Sequence, residues 1–393
     1  MKLKIVFILI GLISVVRAQE LNLVQLSDSL KKNNPQLKQM RANSDMALIR
    51  RQSSSYLGAT SANFQYGQIN TKLQDIYYEV DQEIKNPFST TSSRKVNAME
   101  SDYYAVQGAL LEYQLLKQLK DFYYQALYYQ GLLNIYEEEY NLYADYLSTS
   151  DRKLAVQEIS ASDYALIRIQ SSQLNVKVQN TERSLHETDE KIREICGVSN
   201  NVLLDFPEVL TATTELPKSY SLPLSERFGE GYDAQQRVYD QQISNAKLSY
   251  LPNLSAGYFN QTIEHERGYQ GLKLGLNFSI LDGSNKQMIR QANLERSVNT
   301  EIKHNQLLVL QNRLENARHH LNMYISLLND IESSQSSEEE AINNYAEQGK
   351  KNGEISPLEY VQLRQKRLEI QLIKQEIYLN INQFINELEY LTK

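Results

Sequence analysis

The sequence predicts a mostly α-helical protein with a small β part, built as two structural repeats of long coiled helices plus a β-hairpin. Three observations support this prediction: long proline-free stretches with a seven-residue apolar period, four short segments that alternate apolar and polar residues, and two sets of matching motifs at nearly equal offsets. A sustained period of 3.5 residues is typical of helices that pack side by side with a left-handed supercoil.

The first 18 residues are interpreted as a secretory signal peptide. Lys2 and Lys4 give a basic start, residues 5–16 form a short apolar run, and Ala18 provides a small residue at the cleavage position. A membrane-spanning helix needs about 20 apolar residues, and this run is shorter. The mature chain is therefore expected to begin at Gln19.

The composition argues against several classes of function. The chain has 41 basic and 48 acidic residues, and removal of the three basic residues of the signal peptide gives a net charge near −10. Such a chain lacks the basic face that binds nucleic acid, so no nucleic-acid partner is expected. Cys196 is the only cysteine, which rules out an intramolecular disulfide. No metal-ligand spacing, phosphate loop or nucleophile motif occurs, so we expect no cofactor and no enzyme.

The helical pattern occupies two proline-free stretches, from Pro87 to Pro207 and from Pro252 to Pro357, and continues after Pro357. In the first stretch apolar residues recur at every seventh position, namely Leu119, Ala126, Leu133, Tyr140 and Leu147. A second series consists of Leu307, Leu314, Leu321 and Leu328, and a third of Leu363, Ile370, Ile377, Phe384 and Leu391. These stretches predict long helices that pack as coiled coils.

Four segments have the period of two that is typical of β-strands. The clearest is residues 269–280, and the others are residues 62–67, 76–84 and 254–258. They predict two hairpins, at about residues 59–85 and 252–281, each set between helical stretches. The alternation is that of membrane barrel strands, yet the smallest single-chain barrels have about eight strands. If these strands span a membrane, several chains must pool them.

The matching motifs indicate an internal duplication. Tyr56-Leu57 matches Tyr250-Leu251, and Glu158-Ile159-Ser160 matches Glu354-Ile355-Ser356. The predicted organisation is a first repeat over residues 19–199, a proline-bearing linker over residues 200–224, and a second repeat over residues 225–393. Each repeat is expected to run helix, hairpin, long helix, turn, long helix.

The two-copy plan and three sequence strings resemble the TolC family of outer-membrane efflux channels. The strings are residues 66–70, 251–261 and 353–360, and they resemble the branch that serves heavy-metal (cation) pumps of the resistance-nodulation-division (RND) class. The resemblance covers essentially the whole mature chain. It implies a homotrimer with an α-barrel in the periplasm and a transmembrane β-barrel in contact with outer-membrane lipid.

The resemblance also implies a function and partners. The chain would be the outer-membrane exit channel of a tripartite RND-type efflux system that exports heavy-metal cations, joined to a periplasmic adaptor (membrane fusion) protein and an inner-membrane RND pump. A TolC-like channel for drugs or for type I protein secretion stays open. So does a secreted or periplasmic coiled-coil scaffold without a pore, although two amphipathic hairpins between the heptads favour the channel.

The turn between the long helices of each repeat has a helix-start signature. Ser356, Pro357 and Glu359 fit the N-cap, first-turn and capping-box positions. Gly353 predicts a left-handed backbone at the second turn, whereas Gln157 occupies the matching position of the first.

The resemblance assigns functional residues to these turns. Seven residues are candidates for adaptor docking: Glu158, Ile159, Ser160, Gly353, Glu354, Ile355 and Ser356. Glu359 is the candidate residue of the pore aperture. The departure at Gln157 raises the question of whether the first turn has the same shape as the second.

Overall fold

The computed structural model describes residues 22–70, 72–199, 204, 210–211, 224–264, 266–278, 283–334 and 336–392. The predicted signal peptide lies outside the described residues. So do most of the predicted linker, residues 200–224, and the end of the second predicted hairpin, residues 279–281.

Helices dominate the described part of the chain, as predicted. They are α1 (Leu23–Asn33), α2 (Pro35–Ser53), α3 (Pro87–Ala155), α4 (Ala161–Cys196), α5 (Leu224–Leu248), α6 (Ser284–Ser334), α7 (Ser336–Asn352) and α8 (Pro357–Thr392). The longest, α3, has 69 residues. None of the described helices combines the length and the apolar character needed to cross a membrane.

The four alternating segments form one antiparallel sheet. Its strands are β1 (Leu57–Gly67), β2 (Asp75–Ile84), β3 (Asn253–Ile263) and β4 (Glu266–Asn277), in the order β1-β2-β3-β4. The two hairpins join through β2 and β3, where Val80 lies opposite Tyr258. The predicted fold class, mostly helical with a small β part, is confirmed.

The chain divides into two compact units, and each combines segments of both repeats. The first unit consists of Met1–Asn34, Gln118–Ala212 and Tyr324–Gln383, and the second of Pro35–Lys117, Thr213–Met323 and Phe384–Lys393. The turns between the long helices belong to the first unit and the sheet belongs to the second.

In the first unit, α3, α4, α7 and α8 pack around a core rich in tyrosine. Its buried members are Leu132, Tyr136, Tyr143, Tyr146, Ile167, Leu174, Ala346, Tyr360 and Val361. The predicted heptad position Tyr140 is only half-buried, and the preceding residue, Glu139, is buried instead. The buried residues of α3 in this core are spaced by three or four positions, from Leu132 through Tyr136 and Glu139 to Tyr143. Tyr140 lies beside this face and packs against the core.

In the second unit, the end of α8 packs against α3 and α6. Glu387 pairs with Lys117 at 3.1 Å and with Arg313 at 2.6 Å. The rings of Tyr113 and Tyr390 stack with centroids 5.2 Å apart. Lys117 and Arg313 are separated in sequence by the same number of residues as Glu158 and Glu354 of the matched turns. One acidic side chain, Glu387, thus binds residues at matching positions of the two repeats.

Candidate functional site

The second turn joins α7 to α8 through a left-handed residue. Gly353 has a φ of 73°, as predicted. Its N–H donates to the carbonyl of Lys350, and the N–H of Glu354 donates to the carbonyl of Gly349 at 2.8 Å. These two bonds form a Schellman motif, which satisfies the last carbonyls of a helix. Ile355 packs on Gly349, where an added Cβ would lie 2.9 Å from Ile355 Cγ2.

Ser356 and Glu359 form a capping box at the start of α8. The Glu359 N–H donates to Ser356 Oγ at 3.2 Å, and the Ser356 N–H donates to Glu359 Oε2 at 2.8 Å. The bond from the Ser356 backbone, followed by that from its side chain, lowers the pKa of Glu359 below its usual value. The candidate aperture residue is therefore an exposed, ionised carboxylate in a fixed position.

The first turn has the same geometry without a glycine. Gln157 has a φ of 58°. Its N–H donates to the carbonyl of Leu154, and the N–H of Glu158 donates to the carbonyl of Lys153 at 2.8 Å. Ser160 caps α4 by accepting a hydrogen bond from the N–H of Asp163 at 3.1 Å. The departure at Gln157 leaves the shape of the turn unchanged.

A single groove of about 620 Å³ is lined by residues of both turns. Glu158 and Ile159 of the first turn line it together with Gly353 and Ile355 of the second. The remaining docking candidates are turn and cap residues outside its lining, namely Ser160, Glu354 and Ser356. The structure thus brings four of the seven docking candidates to one surface. We call it the turn groove.

Lysines give the turn groove a basic character. Lys153, Lys350 and Lys351 line it, with Glu158 and Glu347 as the acidic members. The Lys350 ammonium lies 4.4 Å from the ring centroid of Tyr146 and 4.6 Å from that of Tyr360. Burial lowers the pKa of Lys350. Cation–π contacts hold this lysine in the groove wall, whereas Lys153 and Lys351 are exposed.

A buried ion pair in the same unit joins α8 to α3. The side chain of Arg364 is 2% exposed, and its Nε donates to Glu139 Oε2 at 3.1 Å. Its Nη1 donates to Asn343 Oδ1 at 2.7 Å. Arg367 Nη1 lies 3.4 Å from Glu139 Oε1. Burial raises the pKa of Glu139, and the guanidinium of Arg364 opposes that rise. The pair links the helix that begins at the second turn to the longest helix of the chain.

Sequence reasoning missed this pair because it considered only the apolar residues of the coiled helices when it predicted their buried faces. A signal was present: Glu139 lies three residues after Tyr136 and four before Tyr143, which is the spacing of a buried face. Arg364 follows Tyr360 by four residues and occupies the same face of α8. The matching residue of the first repeat, Arg168, is exposed.

A second groove, of about 590 Å³, surrounds the candidate aperture residue. Glu359 lines it with Tyr345, Gln362, Lys366 and Glu369. Lys366 pairs with Glu369 at 2.8 Å. In the part of the chain that the structure describes, no group of three or more histidine, cysteine or acidic side chains could hold a metal ion.

The fold is shared with solved structures of outer-membrane channels. The CmeC outer membrane channel of Campylobacter jejuni has a TM-score of 0.79 at 14% identity, over 94% of this chain and 85% of that chain. A membrane protein from Pseudomonas aeruginosa has a TM-score of 0.77 at 13% identity, over 94% and 93%. The open state of the Neisseria gonorrhoeae MtrE outer membrane channel has a TM-score of 0.72 at 13% identity, over 97% and 93%.

No family model and no curated protein matches the sequence. At these identities the structural likeness establishes the fold. The chain therefore has the channel fold of these outer-membrane proteins, in which long helices are combined with a small antiparallel sheet.

Proposed function

We propose that the chain is the outer-membrane exit channel of a tripartite efflux system, a homotrimeric conduit rather than an enzyme. One observation carries the proposal: the chain shares its fold with the CmeC outer membrane channel over 94% of its length. The sheet, its edges and the turns each add physical support.

The two faces of the sheet differ in the way that a membrane strand requires. The register places Ala62, Val80, Tyr258 and Leu272 side by side on one face. Farther along that face of β4, Leu272 and Leu274 are 85% and 86% exposed. So much exposed apolar surface is unfavourable in water and favourable in lipid.

The opposite face of the sheet carries charged side chains, beside the stacked rings of Tyr77 and Phe259. Lys273 Nζ lies 3.3 Å from both Glu79 Oε2 and Asp81 Oδ2, and Asn63 Nδ2 donates to Glu79 Oε1 at 2.8 Å. A polar inner face and an apolar outer face are typical of strands that enclose a water-filled channel. We therefore assign the charged face to the lumen.

The edges of the sheet support pooling of strands between chains. In the described part of one chain, β1 and β4 each have a single neighbouring strand, and they are 11 and 12 residues long. Long open edges favour pairing with another chain. Contact between β1 of one copy and β4 of the next continues the antiparallel order. The family resemblance implies that three copies close the sheet into a barrel.

The turn groove is the proposed docking surface for the periplasmic adaptor. Its Schellman turns and helix caps fix the backbone, so the groove presents Ile159 and Ile355 beside exposed Lys153 and Lys351 without further ordering. A rigid surface loses little entropy when it binds. Its mixed apolar and basic lining fits an adaptor tip with apolar and acidic side chains.

The proposed cargo is heavy-metal cations, moved by an inner-membrane RND pump. This assignment rests on the resemblance of residues 66–70 and 251–261 to the heavy-metal branch. The acidic residues Glu79 and Asp81 on the assigned lumen face, opposed by Lys273, favour cations over anions in the conduit. Drugs and secreted proteins are the alternative cargo classes.

Two experiments test the proposal. Cell fractionation and crosslinking in detergent should find the chain in the outer membrane as a three-chain species; a soluble fraction would support the coiled-coil scaffold instead. Deletion of the gene should sensitise cells to heavy-metal cations more than to lipophilic drugs. Unchanged metal tolerance in a strain without redundant channels would contradict the cargo assignment and leave the channel assignment intact.

A further inference from the structure

A groove lined by cations lies in the second unit, next to the start of β1. Arg51 at the end of α2 and Thr91, Arg94 and Lys95 near the start of α3 line it, and its volume is about 670 Å³. No acidic residue is among its described lining. We call it the basic groove. Three cations without a carboxylate stand out in a chain that has 41 basic and 48 acidic residues.

The charges of the basic groove are not neutralised by described neighbours. Arg94 donates to the Ser54 carbonyl at 2.9 and 2.6 Å, and its guanidinium lies 4.6 Å from the ring centroid of Tyr56. Both of these partners are neutral. Arg51 and Lys95 are exposed and make no ion pair with the described residues. Arg50, by contrast, pairs with Glu100 at 2.8 Å.

Apolar and aromatic side chains border the basic groove on the side of the sheet. The Tyr56 hydroxyl lies 3.4 Å from Thr91 Oγ1, which ties the groove to the residue before β1. Leu57 and Phe88, at the adjoining ends of β1 and α3, are 58% and 68% exposed. Aromatic side chains are enriched at the headgroup level of a membrane, and here they lie beside cationic side chains.

We propose that the basic groove binds the phosphate of an anionic phospholipid headgroup. This inference rests on the proposed function, because that function places the sheet in the outer membrane. Arg51, Arg94 and Lys95 supply the positive charge, and the Thr91 hydroxyl supplies a further donor. Arginine and lysine form charge-assisted hydrogen bonds with phosphate oxygens.

Free inorganic phosphate can make the same polar contacts as a phospholipid headgroup, but it has no hydrocarbon part to contact the apolar side chains that border the groove. Leu48 lines the groove itself, and Leu57 and Phe88 lie where acyl chains would begin. A ligand that joins a phosphate to a hydrocarbon chain satisfies both features. The lipid is therefore favoured over the free ion.

Native mass spectrometry of the purified channel tests the proposal, with dioleoyl phosphatidylglycerol, dioleoyl phosphatidylcholine and inorganic phosphate as probes. The variant is Arg51→Gln/Lys95→Gln; Arg94 is kept because it holds Ser54 and Tyr56. We expect the native chain to retain more phosphatidylglycerol than phosphatidylcholine. In the variant, the ratio of retained phosphatidylglycerol to retained phosphatidylcholine should fall by about tenfold.

The matched control is Arg152→Gln/Arg168→Gln, which removes the same charge from exposed residues of the first unit and should leave lipid retention unchanged. Equal retention of the two lipids, or an equal loss in both variants, overturns the proposal. Displacement of the lipid by inorganic phosphate at equal concentration would make the groove a site for the free ion, and also overturns it.

The same preparation is added to planar bilayers. If the native chain does not insert, the proposed channel function fails, and the lipid site fails with it. If the native chain inserts and conducts but shows no preference for phosphatidylglycerol, only the lipid site is overturned.

Discussion

Gln157 and Gly353 adopt the same left-handed backbone conformation at matching positions of the two turns, with φ values of 58° and 73°. The hydrogen bonds that close the two turns also match, from Glu158 to Lys153 and from Glu354 to Gly349. A left-handed conformation costs an ordinary L-residue about 1 kcal/mol, whereas glycine adopts it freely. The first repeat therefore has the same turn at a cost in strain that the second repeat avoids.

Replacing Gln157 by glycine should stabilise the chain, because the substitution relieves this strain. We expect Gln157→Gly to raise the free energy of unfolding by up to about 1 kcal/mol, measured from the unfolding midpoint in urea. The control is Gln179→Gly at an exposed position inside α4, which should cost about 1 kcal/mol. Destabilisation by both substitutions would show that Gln157 makes favourable contacts that outweigh its backbone strain.

Replacing Gly353 by valine should abolish export without affecting assembly. A β-branched side chain is strained at a φ of 73°, so the turn must change shape while the sheet keeps its residues. We expect Gly353→Val to reach the outer membrane as a trimer and to fail in a cellular efflux assay. Gly353→Asn is the matched control, because asparagine tolerates this conformation and should retain export. Full export by Gly353→Val would mean that the turn only connects two helices.

The strands and turns could be predicted because their signals are local. Alternation over residues 269–280 favours a strand on local sequence alone, and β4 covers Glu266–Asn277. The spacing of Ser356 and Glu359 is that of a capping box and by itself predicts the start of a helix. The left-handed backbone at Gln157 had no such signal, since glutamine shows no preference for it. Only the match with Gly353 across the duplication pointed to it.

The Glu139–Arg364 pair could not be predicted in the same way, because it depends on packing between distant segments. Tyr140 of the predicted heptad series packs against the core in a partly buried position, and the preceding position is occupied by Glu139, whose partner Arg364 lies 225 residues away along the chain. The turn groove could not be predicted for a similar reason. It is lined by Ile159 of the first turn and Ile355 of the second, and the spacing of residues in the sequence does not show that these two turns lie side by side.

Removing the arginine of the buried pair should destabilise the first unit strongly. Arg364→Met leaves the Glu139 carboxylate buried without its nearest cation, which typically costs about 3–5 kcal/mol. Arg364→Met/Glu139→Leu removes both charges and should recover most of that loss. Urea unfolding at pH 8 measures both variants. Equal instability of the single and double variants would mean that the arginine acts through packing alone.

The instability of Arg364→Met should also depend on pH. Burial raises the pKa of Glu139 above the usual value of 4.5, and loss of the cation raises it further. A raised carboxyl pKa contributes stability that is present below the unfolded value and is lost as the pH rises through the folded value. The variant should therefore lose less stability at pH 5 than at pH 8. An equal loss at the two pH values would contradict a buried, uncompensated carboxylate.

A charge on the apolar face of the sheet should impair membrane insertion. Leu274 is 86% exposed on that face, and a lysine at mid-membrane depth costs about 2–4 kcal/mol on the lipid side of a strand. We expect Leu274→Lys to insert poorly into liposomes. Gln65→Lys places the same charge on the opposite face of β1 and should insert normally. Poor insertion of Gln65→Lys alone would reverse the assignment of the two faces.

Replacing Glu359 by glutamine should change ion selectivity and leave the fold intact. The amide oxygen that Glu359→Gln introduces can still accept the Ser356 N–H, so the start of α8 is kept. The substitution removes one negative charge per copy at the candidate aperture. We expect the permeability ratio of cations to anions in planar bilayers to fall by roughly twofold, with the trimer unchanged. Hydrogen bonds from Ser356 lower the pKa of Glu359, so the carboxylate stays ionised as the pH falls toward 4.5. The difference in permeability ratio between the native chain and the variant should therefore persist from pH 8 to pH 5.

Glu340→Gln makes the same charge change at an exposed position of α7 and should leave the permeability ratio unchanged. An equal change in both variants would show that the effect comes from net charge and not from a place at the aperture.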